Sequence, residues 1–179
     1  MKLLRIIALT APLAVAALPL SAHAGGESGV YLGVGAGRTN ISEQYAGGIE
    51  GDDTGFKTTL GYNFGNIPVV DFAVEGAYVN FGKIGDSRVT YEQTAWDAFA
   101  LLGVNLGPVG IFGKGGMASW EGETSIGSVR TTTSGTDPVW GVGARIQILS
   151  VTGRLEYEYY DMDSIDDTYM TSLSLLYTF

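Results

Sequence analysis

The chain has 179 residues, a formal net charge of −9, a single histidine and no cysteine. Its acidic balance argues against a nucleic-acid partner, because nucleic-acid phosphates are bound by clustered lysine and arginine. Without cysteine there can be no disulfide, thiolate nucleophile or cysteine-ligated zinc, and no cofactor or metal site is expected.

The first residues have the three-part pattern of a secretory signal peptide. Lys2 and Arg5 are basic, residues 6–20 are almost wholly apolar, and residues 22–24 (Ala-His-Ala) place small side chains where signal peptidase requires them. We expect cleavage at the end of this pattern, so that residues 1–24 are a signal peptide.

Residues 25–179 are expected to form one exported domain. Cleavage would remove the histidine and the positive charges of Lys2 and Arg5, which changes the formal charge from −9 to −11. The chain nevertheless holds 27 glycines and 11% aromatic residues. An inside-out β-barrel explains this mixture, because its outer face must be apolar while its lumen is polar and narrow.

Apolar residues recur at every second position in stretches that end at Gly, Pro, Asn or Asp, which is the pattern of β-strands. The stretches predict eight strands at about Gly29–Arg38, Gly55–Phe64, Val69–Phe81, Tyr91–Leu106, Val109–Trp120, Pro138–Leu149, Gly153–Asp161 and Tyr169–Phe179. Each is close to the ~9–11 residues with which a tilted strand crosses a bilayer. The predicted fold is therefore all-β, an eight-stranded antiparallel up-and-down transmembrane β-barrel after an N-terminal signal peptide.

The fifth predicted strand has an ambiguous phase. If Lys114 faces the lumen, Val109 and Ile111 face lipid, but Phe112 and Trp120 then also point inward.

The predicted links alternate in length. Those after strands two, four and six are short, whereas those after strands one, three, five and seven are longer and rich in Gly, Ser, Thr and acidic residues. This alternation predicts a barrel in the Gram-negative outer membrane with both termini in the periplasm.

Charged residues fall on the inward-facing positions of the predicted strands. Four are positive and five are negative: Lys57, Lys114, Arg145 and Arg154, with Asp71, Glu75, Asp97, Glu156 and Glu158. Unpaired charges in so narrow a space would each cost several kcal/mol, so we expect them to pair into a network that plugs the lumen.

The last strand ends in a specific short pattern. Leu173, Leu175, Tyr177 and Phe179 lie on one face and close the chain with an aromatic residue. They look like the terminal signature by which outer-membrane barrels are recognised for assembly, so the barrel-assembly machinery is an expected partner.

Several segments together carry a family resemblance. They are Gly55–Tyr62, Phe72–Tyr78, Gly115–Trp120, Asp137–Trp140, Arg154–Tyr157 and Tyr169–Phe179. Through them the chain resembles the OmpA-type transmembrane barrel, within the wider group of small outer-membrane β-barrels and opacity-like surface proteins.

That resemblance implies a charged cluster in the lumen that blocks or gates a narrow pore. Glu75 and Arg154 lie where two of the family's cluster residues would lie. Arg145 stands at a position that the family fills with an acid, and Leu101 at one that it fills with Lys. The chain also lacks the peptidoglycan-binding domain of the longer members, so no cell-wall anchor is expected.

Two other kinds of site can be considered from the acidic residues. Glu156 and Glu158 resemble a catalytic carboxylate pair, but they lie in a charge-balanced lumen without a nearby nucleophile or histidine. The acidic stretch Asp161–Asp167 could ligate calcium, but it lacks the Gly and terminal Glu of a calcium loop, which favours a solvated loop.

The sequence therefore predicts a monomeric, non-enzymatic outer-membrane barrel with a structural or surface-interaction role. Its expected partners are outer-membrane lipid and lipopolysaccharide and an unidentified extracellular molecule. The alternatives are a narrow pore for ions or small solutes, an outer-membrane lipid-modifying enzyme or protease, and a soluble periplasmic lipocalin-like binder.

Overall fold

The computed structural model of the chain describes residues 28–43, 49–65, 69–86, 89–126, 129–161 and 168–179. The predicted signal peptide, residues 1–24, lies outside these ranges, as does most of the acidic stretch after residue 161. No helix in the described part of the chain is both long and apolar enough to cross a membrane.

Eight antiparallel strands form one closed barrel in chain order, which confirms the predicted fold class. The strands are β1 (Gly29–Glu43), β2 (Ile49–Asn63), β3 (Val70–Asp86), β4 (Val89–Leu106), β5 (Val109–Ile126), β6 (Val129–Ile148), β7 (Val151–Tyr160) and β8 (Thr168–Thr178). The last strand pairs with the first from Tyr31 opposite Thr178 to Ile41 opposite Thr168. This pairing leaves no open sheet edge around the central part of the barrel.

Exposure alternates along the strands with the predicted phase. The apolar side chains are on the outside: Val34, Trp140 and Leu173 are 61%, 54% and 66% exposed. Charged side chains such as Lys57 and Glu158 are buried inside. This polarity is the reverse of that of a soluble protein, and it suits a surface that is covered by lipid.

The structure resolves the phase of β5. Ile111 and Met117 are exposed on the outer face, whereas Phe112, Lys114 and Trp120 are all buried inside the barrel. Two large rings therefore share the lumen with the charged residues.

The predicted long links after strands one, three and five are wrong, because most of these residues belong to strands. Each pair of strands continues to a short connection, at residues 44–48, 87–88 and 127–128. Their Gly, Ser, Thr and acidic residues are typical of loops. A hairpin that is solvent-exposed on both faces, however, has no buried face and so shows no alternation of apolar and polar residues.

One side of the barrel extends much further than the other. The β6–β7 pairing begins at Val139 opposite Tyr160, while Val129–Asp137 pairs with β5 alone. At about 3.3 Å per residue, this is roughly 30 Å of strand. Similarly, β3 pairs with β2 as far as Asn80 but with β4 as far as Asp86. The four strands β3–β6 thus form a sheet that projects beyond the closed barrel, called here the projecting sheet.

A β-bulge marks the point where β3 leaves the closed barrel. The register against β4 shifts between Asn80 and Lys83, and Gly82 has a φ of 91°. Its backbone N–H donates to the Asn80 side-chain oxygen at 2.9 Å. Glycine adopts this φ without strain, and a bulge increases local twist, so the strand can turn away as pairing with β2 ends.

Adding a methyl group at Gly116 tests how closely β4 and β5 pack. A Cβ at Gly116 would lie 1.8 Å from the backbone oxygen of Ala98, which cannot move without disturbing the strand pair. We expect Gly116→Ala to lower the free energy of unfolding by about 1–3 kcal/mol, as overpacking does. The measurement is urea-induced unfolding from phospholipid vesicles, followed by tryptophan fluorescence.

The matched control is Gly115→Ala on the same strand. A Cβ there meets nothing within 4 Å, so stability should be unchanged or slightly higher. Equal decreases in the free energy of unfolding for the two variants would show that the close approach of Gly116 to Ala98 does not limit stability.

Candidate functional site

Two lysines and two glutamates form a closed ionic square in the middle of the lumen. Lys57 Nζ lies 2.7 Å from Glu156 Oε2 and 2.9 Å from Glu158 Oε2. Lys114 Nζ lies 2.8 Å from Glu156 Oε1 and 2.5 Å from Glu158 Oε1. Each lysine thus bridges both glutamates, and all four side chains are almost completely buried. The opposed charges offset much of the desolvation cost of burying them.

A second group lies beside this square. Arg154 forms an ion pair with Glu75, whose Oε1 also accepts a hydrogen bond from the Tyr31 hydroxyl at 2.8 Å. The same guanidinium is 3.6 Å from Glu156 Oε1, which connects it to the square. The group brings β1, β3 and β7 together across the lumen.

A third group lies towards the short turns. Arg145 forms an ion pair with Asp71 and donates to the Asn105 side-chain oxygen at 2.6 and 3.2 Å. Arg145 and Arg154 are direct neighbours in the β6–β7 pairing. The Phe112 ring faces both, with guanidinium carbons 6.0 and 5.0 Å from its centroid. Its negative face contributes to stabilising two like charges in close proximity.

Asp97 departs from the expected pairing. Among the described residues its hydrogen-bond donor is the hydroxyl of Tyr160, at 3.0 Å, and it forms no ion pair with a lysine or arginine. Asp137, which was not predicted as a lumen residue, is likewise buried and accepts from the indole N–H of Trp120 at 2.5 Å. The prediction that all the lumen charges pair with one another is therefore wrong for Asp97, because its donor is the neutral hydroxyl of Tyr160.

A layer of apolar side chains closes the lumen on the side of the projecting sheet. All of its members are at most 2% exposed: Val79, Phe81, Trp120, Val139, Tyr160 and Met170. The rings of Phe81 and Tyr160 meet edge to face at a centroid distance of 5.0 Å. Close-packed side chains of this kind exclude water, so this layer and the ionic groups fill the interior together.

A cavity of about 20 Å³ lies near the short turns, lined by residues that include Tyr31, Arg145 and Arg154. This is enough for about one water molecule. Within the described ranges, no group of three or more His, Cys, Asp or Glu side chains is arranged to hold a metal ion.

The structure places all nine predicted lumen residues inside the barrel and brings eight of them into ion pairs, Asp97 being the exception. Glu156 and Glu158, which resemble a catalytic carboxylate pair in the sequence, each form ion pairs with two lysines. On the outside, Leu173, Leu175 and Phe179 are exposed, and the Tyr177 and Phe179 rings meet at 5.1 Å.

Sequence reasoning did not identify Asp137 and Tyr160 as partners in the lumen. Asp137 has the same alternation phase as Arg145, so continuing the β6 pattern by one residue would have found it. The contact between Tyr160 and Asp97 joins β7 to β4 across the barrel, and no short-range pattern in the sequence signals such a contact.

Removing one lysine from the ionic square tests its contribution to stability. Lys57→Met would leave two buried glutamates with only one shared cation from the square, so the free energy of unfolding should fall by about 3–5 kcal/mol. The measurement is urea-induced unfolding in phospholipid vesicles.

The control is Arg130→Gln, which removes the exposed ion pair between Arg130 Nη1 and Glu123 Oε1 at 3.0 Å. Exposed pairs contribute about 0–1 kcal/mol, so this variant should remain close to the unsubstituted protein. If Lys57→Met lowered the free energy of unfolding as little as Arg130→Gln, the square would not stabilise the barrel.

Comparison with solved structures shows the same architecture. Ail, the attachment invasion locus protein of Yersinia pestis, is 17% identical with a TM-score of 0.65, over 86% of this chain and 99% of that chain. Neisserial surface protein A is 15% identical with a TM-score of 0.64, over 85% and 98%. The N-terminal β-barrel domain of Pseudomonas aeruginosa OprF is 12% identical with a TM-score of 0.58, over 86% and 100%. At these identities the likeness shows the fold.

The sequence comparisons show the family. No curated protein matches the chain at a significant level. The family model described as "Outer membrane protein beta-barrel domain" matches residues 10–179, which is nearly the whole chain. The resemblance to small outer-membrane barrels is thereby confirmed. The chain belongs to the outer membrane protein β-barrel domain family, and hence to the outer membrane of Gram-negative bacteria.

Proposed function

We propose that this protein is a closed outer-membrane barrel with a structural and surface-interaction role. It carries out no catalysis and conducts no steady current. The observation that carries this proposal is the filled lumen, in which an ionic square and an apolar layer follow one another along the axis.

The ionic groups support a plug rather than a channel. A permeating ion would have to separate carboxylates and ammonium groups that are 2.5–2.9 Å apart and shielded from water. It would then meet Trp120, Tyr160 and Met170, whose side chains offer it no charged ligand. Both barriers lie on the same axis, so opening one alone would not create a path.

The projecting sheet supports a role at the surface. Residues 130–134 of β6 are exposed, and in the described part of the chain Val129–Asp137 pairs with β5 alone. A strand edge of this kind offers backbone N–H and C=O groups to a partner. We propose that contacts with an extracellular molecule involve this sheet and the connections at its tip.

The orientation proposed is both termini in the periplasm, with residues 1–24 removed as a signal peptide. The turns at Gly107–Pro108 and Leu149–Ser150 would face the periplasm, and the projecting sheet would face the exterior. Leu173, Leu175, Tyr177 and Phe179 would serve as the signal for the barrel-assembly machinery, and the protein would act as a monomer surrounded by lipid and lipopolysaccharide.

Planar-bilayer recording tests the plug. The purified protein should show no large, stable openings, because the ionic square and the apolar layer occupy the described lumen. Stable openings in the unsubstituted protein would favour the narrow pore instead. As a reference, the double variant Trp120→Ala with Lys57→Ala should conduct more often, since it weakens both barriers.

Cysteine labelling on intact cells tests the orientation. The chain has no cysteine, so Ser87→Cys and Ser150→Cys each introduce a single thiol, one in the sequence between β3 and β4 and one in a short turn. A membrane-impermeant maleimide should label Ser87→Cys on intact cells and Ser150→Cys only after permeabilisation. The reverse pattern would place the termini outside the cell.

A further inference from the structure

Two grooves on the outer wall of the barrel meet and differ in polarity. One, of about 640 Å³, is lined by residues that include Arg38, Asn40, Tyr169 and Leu173, and is called here the head groove. The other, of about 720 Å³, has apolar walls that include Leu102, Ile111, Gly113, Val142 and Ala144, and is called here the tail groove. Leu155, Tyr157 and Thr171 line both grooves, so the two adjoin, and together they extend over the outer wall from β1 through β8, β7, β6 and β5 to β4.

Arg38 gives the head groove its charge. The outward residues that precede it on β1 are Val30, Leu32, Val34 and Ala36, so Arg38 is the first polar side chain beyond the apolar band. An arginine at the bilayer midplane costs about 2–4 kcal/mol, but only about 0–1 kcal/mol near the interface. Arg38 therefore lies at headgroup level, on the side of the projecting sheet.

The guanidinium of Arg38 is exposed and, among the side chains that the structure describes, no carboxylate forms an ion pair with it. The other arginines with described side chains all have acidic partners, at Asp71, Glu75 and Glu123. The planar fork of a guanidinium matches a phosphate group. The Tyr157 and Tyr169 rings, 5.9 Å apart, lie beside it at the depth where tyrosine prefers to lie in a membrane.

The tail groove is open over β5 because this strand carries no side chain at Gly113. A Cβ at Gly113 would meet only the backbone oxygen of Gly141, at 3.9 Å, so the space above this glycine is open. The groove is lined mainly by hydrocarbon side chains, with Tyr157 and Thr171 where it adjoins the head groove, and it lies in the part of the wall that contacts lipid tails. An acyl chain fits this lining, whereas a soluble anion would gain nothing from it.

We propose that the joined grooves bind one phosphorylated lipid of the outer leaflet, with its phosphate at Arg38 and an acyl chain over Gly113. The inference rests on the orientation given under the proposed function, which places Arg38 in the outer leaflet. The joined polar and apolar parts distinguish this site from general contact with headgroups, for which Arg38 alone would suffice.

Native mass spectrometry of the refolded protein, titrated with bisphosphorylated lipid A, tests the site. Arg38→Gln should weaken binding about tenfold, which corresponds to about 1.4 kcal/mol, and Arg38→Lys should keep part of the affinity because it keeps the charge. Gly113→Leu should weaken binding to a similar extent by filling the tail groove. Diacylglycerol, which has acyl chains but no phosphate, should bind the unsubstituted protein and Arg38→Gln equally.

Each variant has a matched control. Arg130→Gln removes an exposed arginine outside the grooves, and Gly115→Leu adds the same side chain to a neighbouring open position of β5 that lines neither groove. Both should bind lipid A as the unsubstituted protein does. The heat-dependent shift in gel mobility shows that each variant is folded before it is titrated.

Three results would overturn the proposal: unchanged lipid A binding by Arg38→Gln, equal effects of Gly113→Leu and Gly115→Leu, or displacement of lipid A by millimolar inorganic phosphate. The titration uses purified protein, so its outcome does not depend on orientation in cells. If lipid A binding fails these tests while cysteine labelling gives the expected pattern, the lipid site is wrong and the proposed orientation stands. If the labelling pattern is reversed, the proposed orientation is wrong and the binding result is unaffected.

Discussion

The hydrogen-bonding requirement of the backbone in lipid determines the rest of this structure. A strand in hydrocarbon has no water to satisfy its N–H and C=O groups, so the sheet must close on itself. The pairing of β1 with β8 closes it. Closure with eight strands leaves an interior only wide enough for side chains. Every inward residue must therefore fit against the others, and every inward charge must find a partner at short range.

The interior meets that demand in two ways. Near the middle, Lys57 and Lys114 satisfy Glu156 and Glu158. Nearer the projecting sheet, Tyr160 and Trp120 donate to Asp97 and Asp137, and the same rings fill space. Aromatic residues with a polar atom thus provide hydrogen bonding and close packing at the same positions. Inward positions with small side chains, such as Gly61 and Gly143, accommodate the neighbouring Tyr31 and Phe112 rings. The glycines leave the space that the rings occupy, so a larger residue at either glycine would clash with a ring.

The faces of the strands could be predicted from the sequence because alternation is a local property. It placed Lys57, Glu75 and Arg154 in the lumen and Leu173 on the outside, as the structure has them. The strand ends could not be predicted, because residues 130–134 of β6, such as Thr131 and Thr133, are all exposed. Their sequence therefore shows no alternation of apolar and polar residues. The partner of Asp97 and the two joined grooves depend on contacts between distant strands. Such contacts follow from the register of the whole barrel, which no short segment specifies.

The unequal strand lengths give the molecule a front and a back in the plane of the membrane. β6 starts at Val129, yet its neighbour β7 ends at Tyr160, opposite Val139. β3–β6 therefore continue well beyond the closed barrel, β1 and β2 continue as a separate hairpin, and β7 and β8 end close to the closed part. The head groove lies on the side where β7 and β8 end, next to β1, which continues five residues beyond Arg38. Neighbouring molecules in a crowded membrane thus meet two different sides, and rotation about the membrane normal decides which one they contact.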